Sequence, residues 1–387
     1  MSERPASRTA LRHNPLNAVT ASVERVADAA GRSVIRKELR APSLKGGEGG
    51  PGTAAGGGSS AVHAGGLSDA DGGGRGGDAG SPADRQEAVV ASWAGSLDPR
   101  HWNYWRREVE VYRDGVLRDR LAQAGLHLPA AEVEEYDGGA VLLLEDIAGT
   151  PGTAFSLEDH AALAKGCGRW QARPSEAVGW TSVGFLRDYS TSRVVPWELL
   201  DDDEAWRQPL VAEEWPGGLR EKWLQVVAWR NELLATVEGL PRRRCHLDLW
   251  VSNVIRRPGG EMALLDWAFT GDGALGEDVG NYVPDAVFDL FWPAERMAEL
   301  AETCVDGYLD GLREGGWRGA ADQVRLAVMA SGVKYAWLLP ALLGQAGDES
   351  HRAYHQQADS RQLFQQRGLA LEFVADWCLE ALSSVRR

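Results

Sequence analysis

The sequence predicts an α+β protein, β-rich toward its N-terminus and mainly helical over the larger C-terminal part. Three observations predict it. Short β-like runs bounded by turn residues occupy Val23 to Leu39 and Ala131 to Glu145. Apolar residues at helical spacing dominate from Leu157 onward. Within this helical region a single stretch stands apart, Cys245 to Gly280, in which two β-like runs flank a Gly-Gly pair.

Residues 1–16 are polar and read as a flexible N-terminus. Asn17 to Ser22 is a small-residue segment, followed by a strand at Val23 to Ala27, a turn at Asp28 to Gly31 and a strand at Ser33 to Leu39. A hairpin headed by such a loop can fold over nucleotide phosphates, although the loop carries no G-x-G-x-x-G. Lys37 lies on the second strand, flanked by Arg36 and Glu38, which point the other way if the strand alternates. From about Pro42 to Asp84 the chain is Gly, Ala, Ser and Asp with almost no large apolar residue. Such a segment buries too little surface to offset its ordering entropy and reads as a disordered insertion.

A helix is expected near Arg85 to Ala94, and a second from Asp98 to Gln123, with Asp98 as cap and Pro99 in the first turn. Its apolar stripe includes Trp102, Trp105, Val109 and Tyr112; Glu108 lies close to that stripe and Glu110 faces away. Strands at Ala131 to Tyr136 and Ala140 to Glu145 are joined by Asp137-Gly138-Gly139. Ser156 and Asp159 form a capping box for a helix from Leu157 to Ala172. Further helices are expected at Leu219 to Leu240, Arg296 to Arg313, Asp322 to Leu343 and Ser360 to Ser384.

The chemistry concentrates in Cys245 to Gly280. His246-Leu247-Asp248 is followed by Asn253, a hairpin, and an apolar strand ending on Asp266. With a two-residue turn at Gly259-Gly260, Pro258 faces Glu261 and Asn253 falls opposite Asp266. An amide oxygen beside a carboxylate suits a hard cation such as Mg²⁺, which takes a few protein oxygens plus phosphate and water. Asp248, on the loop just before, is placed to accept a hydroxyl proton. That combination is what phosphoryl transfer requires. Asp285 and Asp289 lie four apart on one helical face, where they bind a substrate ammonium or merely solvate the helix.

These residues resemble the aminoglycoside phosphotransferase and choline kinase-like family, whose loop reads H-G-D-x-x-x-x-N before a strand ending in D-W or D-F. Asp248, Asn253 and Asp266-Trp267 match, and Leu247 stands where the family usually has Gly. Protein kinases carry Arg between the His and Asp and a later Asp-Phe-Gly, and this chain has neither. The resemblance implies a two-lobed protein kinase-like fold. Residues 17–147 would form the nucleotide-binding lobe, interrupted by the insertion at 42–84, and residues 148–387 the helical lobe with the catalytic loop and acceptor site.

The same resemblance implies roles. Lys37 would hold the α- and β-phosphates and Glu108 would pair with Lys37. Thr20 and Ser22 would sit in the phosphate loop, and Glu145 to Ile147 in the adenine-binding hinge. Asp248 would orient and partly deprotonate the acceptor, Asn253 and Asp266 would bind Mg²⁺, and His246 and Asp278 would support the loop. The implied activity is transfer of the γ-phosphate of ATP or GTP to a hydroxyl of a small molecule. The second reading is a pseudokinase-like nucleotide-binding regulator, motivated by the glycine-poor phosphate loop and the insertion.

Composition narrows the rest. At 387 residues and 44% hydrophobic content the chain can bury a sizeable core. A formal net charge of -15 argues against nucleic acid and anionic membranes as partners and is compatible with a cationic acceptor. No run of 18 apolar residues occurs and the first residues lack an apolar signal region, so a cytoplasmic location is expected. Cys167, Cys245, Cys304 and Cys378 are scattered without metal-ligand spacing and read as reduced, buried thiols.

Overall fold

The alternating run Ser33–Arg40 (β3) becomes the middle strand of a five-stranded antiparallel sheet. Its neighbours are Thr20–Ala27 (β2) and Gly139–Glu145 (β6), flanked by Thr9–Ala10 (β1) and Ala131–Tyr136 (β5). This computed structural model describes residues 8–11, 13, 17–28, 30–42, 93–175, 178–347, 352–353, 356–357 and 359–386. The expected insertion beyond Pro42 and the expected helix at residues 85–92 lie outside them; Trp93 and Ala94, which are described, are not helical.

Lys37 pairs across the ladder with Val23 and Leu142, and it and Leu39 face inward. On the opposite face Arg36 and Glu38 bond each other at 3.1 Å. The β2–β3 turn closes through the Asp28 carboxylate, which accepts the amides of Ala30 and Arg32 at 2.9 and 2.8 Å. Strand β1 falls within the segment expected to be frayed. It adds to the edge of β2, Thr9 against Arg25, covering backbone groups that β2 would otherwise leave open.

The single helix expected over Asp98 to Gln123 is two: Arg107–Arg113 (α1) and Gly115–Gln123 (α2). Residues 98–106 form turns, with the Asp98 carboxylate bonding the Arg100 amide at 2.9 Å instead of opening a helix. Asp114, in extended conformation, breaks the run and caps α2 through the Leu117 amide at 2.9 Å. Leu126–His127 (β4) then leads back to β5.

After β6 comes Thr150–Pro151 (β7) and the helical lobe. Leu157–Gln171 (α3) begins with the expected Ser156–Asp159 capping box. Phe185–Thr191 (α4), Asp203–Trp206 (α5) and Pro209–Glu214 (α6) follow. The helix expected from Leu219 to Leu240 divides at Trp229, whose backbone is not helical, into Leu219–Ala228 (α7) and Arg230–Glu238 (α8). Strands Arg242–Cys245 (β8), Val254–Arg256 (β9), Met262–Leu264 (β10) and Gly271–Ala274 (β11) carry the central stretch. Glu277–Phe288 (α9), Met297–Glu314 (α10), Ala321–Ala330 (α11), Leu338–Gln345 (α12) and Ser360–Val385 (α13) complete the lobe. Residues Ala321–Gln345 are apolar enough to match a membrane span by composition, but 83% of that window is buried inside the lobe.

Helices α3 and α10 touch through glycines. A Cβ on Gly311 would collide with the Lys165 carbonyl, and one on Gly168 with that of Tyr308. This approach sets Gln171 between Tyr308 and the Asp278 carboxylate. All four cysteines are buried and free, as expected.

His160 on α3 makes one testable contribution to stability. It is 2% exposed, bonds the Tyr282 hydroxyl at 2.7 Å and meets the edges of Phe155 and Trp292. Burial lowers its pKa to about 4. The unfolded imidazole takes a proton near pH 6.5, whereas the folded one resists until about 4, so this stability is present above 6.5 and is lost as the pH falls. The loss amounts to about 3 kcal/mol. Urea unfolding of the wild type and His160→Phe at pH 7 and pH 4 should show that difference narrowing on acidification; a constant difference would refute it.

Candidate active site

Strand β8 delivers the chain into the loop at His246, and a buried carboxylate holds that loop. Both oxygens of Asp278, at the start of α9, accept backbone amides, from His246 at 2.9 Å and Leu247 at 2.8 Å. Gln171 donates to the same carboxylate at 2.6 Å, and the Tyr308 hydroxyl bonds Gln171 in turn. His246 is fully buried, leans on Trp267 and contacts the Leu265 carbonyl through Nε2 at 2.9 Å. Burial lowers its pKa, so it is a neutral tie between loop and hairpin. Leu247 has φ +64, the backbone region that glycine enters most readily. Its side chain is fully buried in a cluster with Trp93, Trp102, Phe185, Tyr189 and Phe269. Leucine's packing there offsets a strain of about 1–2 kcal/mol.

The hairpin differs from expectation by one residue. Arg257 donates to the Glu261 carbonyl at 2.9 Å, so the loop is Pro258-Gly259-Gly260, with Gly260 at φ +91. Pro258 therefore does not face Glu261, and Asn253 pairs with Leu265 through a 2.8 Å bond. Asp266 lies one step beyond the ladder at φ +55. That kink turns its carboxylate toward the small lobe.

There it meets the sheet. Lys37 Nζ lies 2.6 Å from Glu108 Oε2 and 2.9 Å from Asp266 Oδ1. Lys37 and Glu108 are buried, while the Asp266 side chain is 43% exposed. Burial works against the charge on Lys37, but the two carboxylates raise its pKa overall, so it stays protonated. Burial likewise opposes ionisation of Asp266, and Lys37 more than reverses that. Asn253 donates through Nδ2 to the Asp248 carboxylate at 3.1 Å and to its carbonyl at 3.0 Å. With Nδ2 so engaged, the atom Asn253 has left for a cation is Oδ1.

These groups surround a cavity of about 330 Å³ between the lobes. Thr20, Lys37, Glu108, Glu145, Ile147, Asp248, Asn253 and Asp266 all line it. Ser22 does not line it; it pairs with Glu38 beside an irregularity in the β2 ladder. His246 and Asp278 stand behind the loop. Glu145 turns its side chain to His127 at 2.8 Å and to the Ala130 amide, which outweigh burial and keep its pKa low. Asp285 and Asp289 are interior, 4% and 2% exposed. Asp285 faces Lys334 at 3.8 Å. Burial raises the pKa of Asp289 to about 8, opposed by Arg367, which leaves it mostly uncharged at neutral pH. Neither lines the cavity, although the Asp285 charge reaches Asp248.

Burial and the Asp266 charge raise the pKa of Asp248 to about 7, with Lys334 and Asn253 pulling the other way. Lys334 has no signal in the sequence, because an isolated lysine between apolar helices belongs to no motif. No group of three or more His, Cys, Asp or Glu side chains able to hold a metal occurs among the described residues. The donor set at the cavity is instead two hard oxygens, from Asn253 and Asp266, which fits a Mg²⁺ ion completed by phosphate oxygens and water.

A model of the phosphotransferase enzyme family (APH) matches residues 105–321, more than half of the chain. The chain belongs to this family. It is a small-molecule phosphotransferase with the two-lobed α+β architecture expected above. The matched span contains Glu108, Asp248, Asn253, Asp266 and Asp278. Among solved structures, an amicoumacin kinase in complex with AMP-PNP and Ca²⁺ is 15% identical, over 95% of this chain and 88% of that one, at TM-score 0.47. A Streptomyces rimosus aminoglycoside phosphotransferase in complex with ADP and streptomycin is 18% identical over 84% and 92%, at TM-score 0.40. A Cryptosporidium parvum choline kinase is 12% identical over 100% and 92%, at TM-score 0.46. No curated protein sequence matches the chain.

Proposed function

We propose that this phosphotransferase moves the γ-phosphate of ATP, or of GTP, to a hydroxyl of a small molecule, with Asp248 as the proton acceptor. The observation that carries the reading is the convergence of Lys37, Glu108 and Asp266, at 2.6 and 2.9 Å, on the cavity that Asp248 also lines. Lys37 holds the donor's phosphates and Glu108 fixes the lysine. Thr20 caps the phosphate end, and residues 145–147 border the base. Asn253 and Asp266 are the residues that would hold Mg²⁺, which when bound supplies charge neutralisation on the β- and γ-phosphate oxygens. The acceptor oxygen gives its proton to the Asp248 carboxylate as it forms a bond to the γ-phosphorus. The bond to the bridging oxygen breaks, and the nucleoside diphosphate leaves with that electron pair. Asn253 and the Asp278 brace keep Asp248 in line while this happens.

The acceptor is a hydroxylated small molecule, and the net charge of -15 favours a cationic one. The test is a mass-spectrometric screen of purified protein with MgATP or MgGTP against pooled aminoglycosides, amino alcohols, sugars and nucleosides. A phosphorylated acceptor identifies the reaction. Absence of both product and Mg²⁺-dependent nucleotide binding would end this reading.

A further inference from the structure

Arg107 is fully buried at the start of α1, and no carboxylate forms an ion pair with it among the described residues. A guanidinium has five N–H donors in a fixed planar fork. Here backbone carbonyls take all five. Nε donates to Trp180 at 3.1 Å. One terminal nitrogen donates to Trp102 at 2.7 Å and Ala268 at 3.1 Å. The other donates to Pro99 at 3.1 Å and His101 at 2.6 Å. A buried charge is costly unless its partners are complete, and these five carbonyls come from three separate segments.

One of the three follows the strand that leads to Asp266. Ala268 lies two residues beyond Asp266, whose φ of +55 is a conformation that a non-glycine residue holds only when its surroundings enforce it. The residue after Arg107 in the chain, Glu108, holds Lys37 at 2.6 Å. Consecutive residues of one helical turn thus grip both sides of the cavity, Glu108 the phosphate lysine and Arg107 the backbone after Asp266.

We propose that Arg107 is a positioning residue that holds the Asp266 carboxylate in register with Lys37 and so sets the affinity of the site for the metal–nucleotide complex. This inference rests on the phosphotransfer reading above. A lysine cannot replace it, because one ammonium nitrogen has three donors and cannot span five carbonyls. The alternative is that Arg107 only staples the 98–106 turns to the helical lobe. In that case its loss lowers stability and nothing else.

Calorimetric titration of AMP-PNP, with and without Mg²⁺, separates the two. Wild type, Arg107→Met and Arg107→Lys would be compared with Arg367→Met, a buried arginine on α13 that bonds the Phe288 carbonyl away from the cavity. The ratio of affinities with and without Mg²⁺ should fall about 10–100-fold in both Arg107 variants. Metal-free affinity should stay near wild type, and Arg367→Met should keep the wild-type ratio even where its melting temperature drops as far. A wild-type ratio in the Arg107 variants, with only the melting temperature lowered, would overturn the proposal. A wild type that binds no nucleotide would overturn the phosphotransfer reading itself, so the two failures look different. The lysine variant keeps the charge and most of the volume, which secures a folded sample if methionine is not tolerated.

Discussion

Asp248→Asn should lower kcat for the acceptor found in the screen by about 10²–10⁴-fold, the range over which a positioned proton acceptor contributes. The change preserves the shape of the side chain and leaves an oxygen for Asn253, which donates to this carboxylate at 3.1 Å. What it removes is the ability to take the acceptor's proton. Nucleotide binding with Mg²⁺ should be nearly unchanged, because Lys37, Asn253 and Asp266 are untouched. Stability should not fall, since burial already opposes the charge on Asp248. Steady-state kinetics on the variant, alongside AMP-PNP calorimetry, measure both quantities. A variant retaining more than about a tenth of wild-type turnover would show that the acceptor loses its proton elsewhere.

Asp266→Ala should be comparably damaging by another route. It removes one of two candidate metal oxygens and one of the two carboxylates on Lys37, and leaves the 2.6 Å Lys37–Glu108 pair standing. The expected loss in kcat is on the order of 10²–10³-fold, typical when a preorganised electrostatic group is deleted. Metal-free nucleotide should bind as well as before or better, because a negative charge has left the phosphate end. The strengthening by Mg²⁺ should largely disappear. If Mg²⁺ still strengthens AMP-PNP binding to the wild-type extent, Asp266 is not a metal ligand.

The elements legible in the sequence are those specified by neighbours in the chain. β3, the β5–β6 hairpin and the Ser156 capping box depend on alternation, Gly-rich turns and a cap three residues from its partner, and all three appear as expected. The β9–β10 hairpin is legible too, but its register differs by one. Pro258-Gly259-Gly260 reads as a turn centred on two glycines, whereas the structure uses all three residues with only Gly260 at positive φ. A one-residue slip changes which side chains share a face. Asp266 still reaches the site, because its own kink redirects it.

The helix break at Trp229 leaves no such trace, since neither it nor its neighbours are Gly or Pro and the apolar period runs through it. The break at Asp114 is marked by a capping residue before Gly115, but the apolar period runs on across it. Arg107 is invisible in the sequence for a deeper reason. Its partners are carbonyls, which every residue has, so no pattern of side chains announces it. Asp285 and Asp289 show the converse. Their common face is legible, but what that face meets, Lys334 and Arg367, is decided by helices far away in sequence.

β4, which follows α2, and β7, which follows the passage out of the small lobe, belong to one small sheet with the β9–β10 hairpin. β4 runs beside β10, Leu126 against Met262, and β7 beside β9, Thr150 against Arg256. Glu145, His127 and Arg257 tie the same corner together at 2.8 to 3.3 Å. The strand that leads to Asp266 is thus stitched to the chain on both sides, to β4 directly and to β7 through β9. A substitution that loosens β7 therefore bears on the hairpin carrying Asn253 and Asp266 as well as on the connection between the lobes.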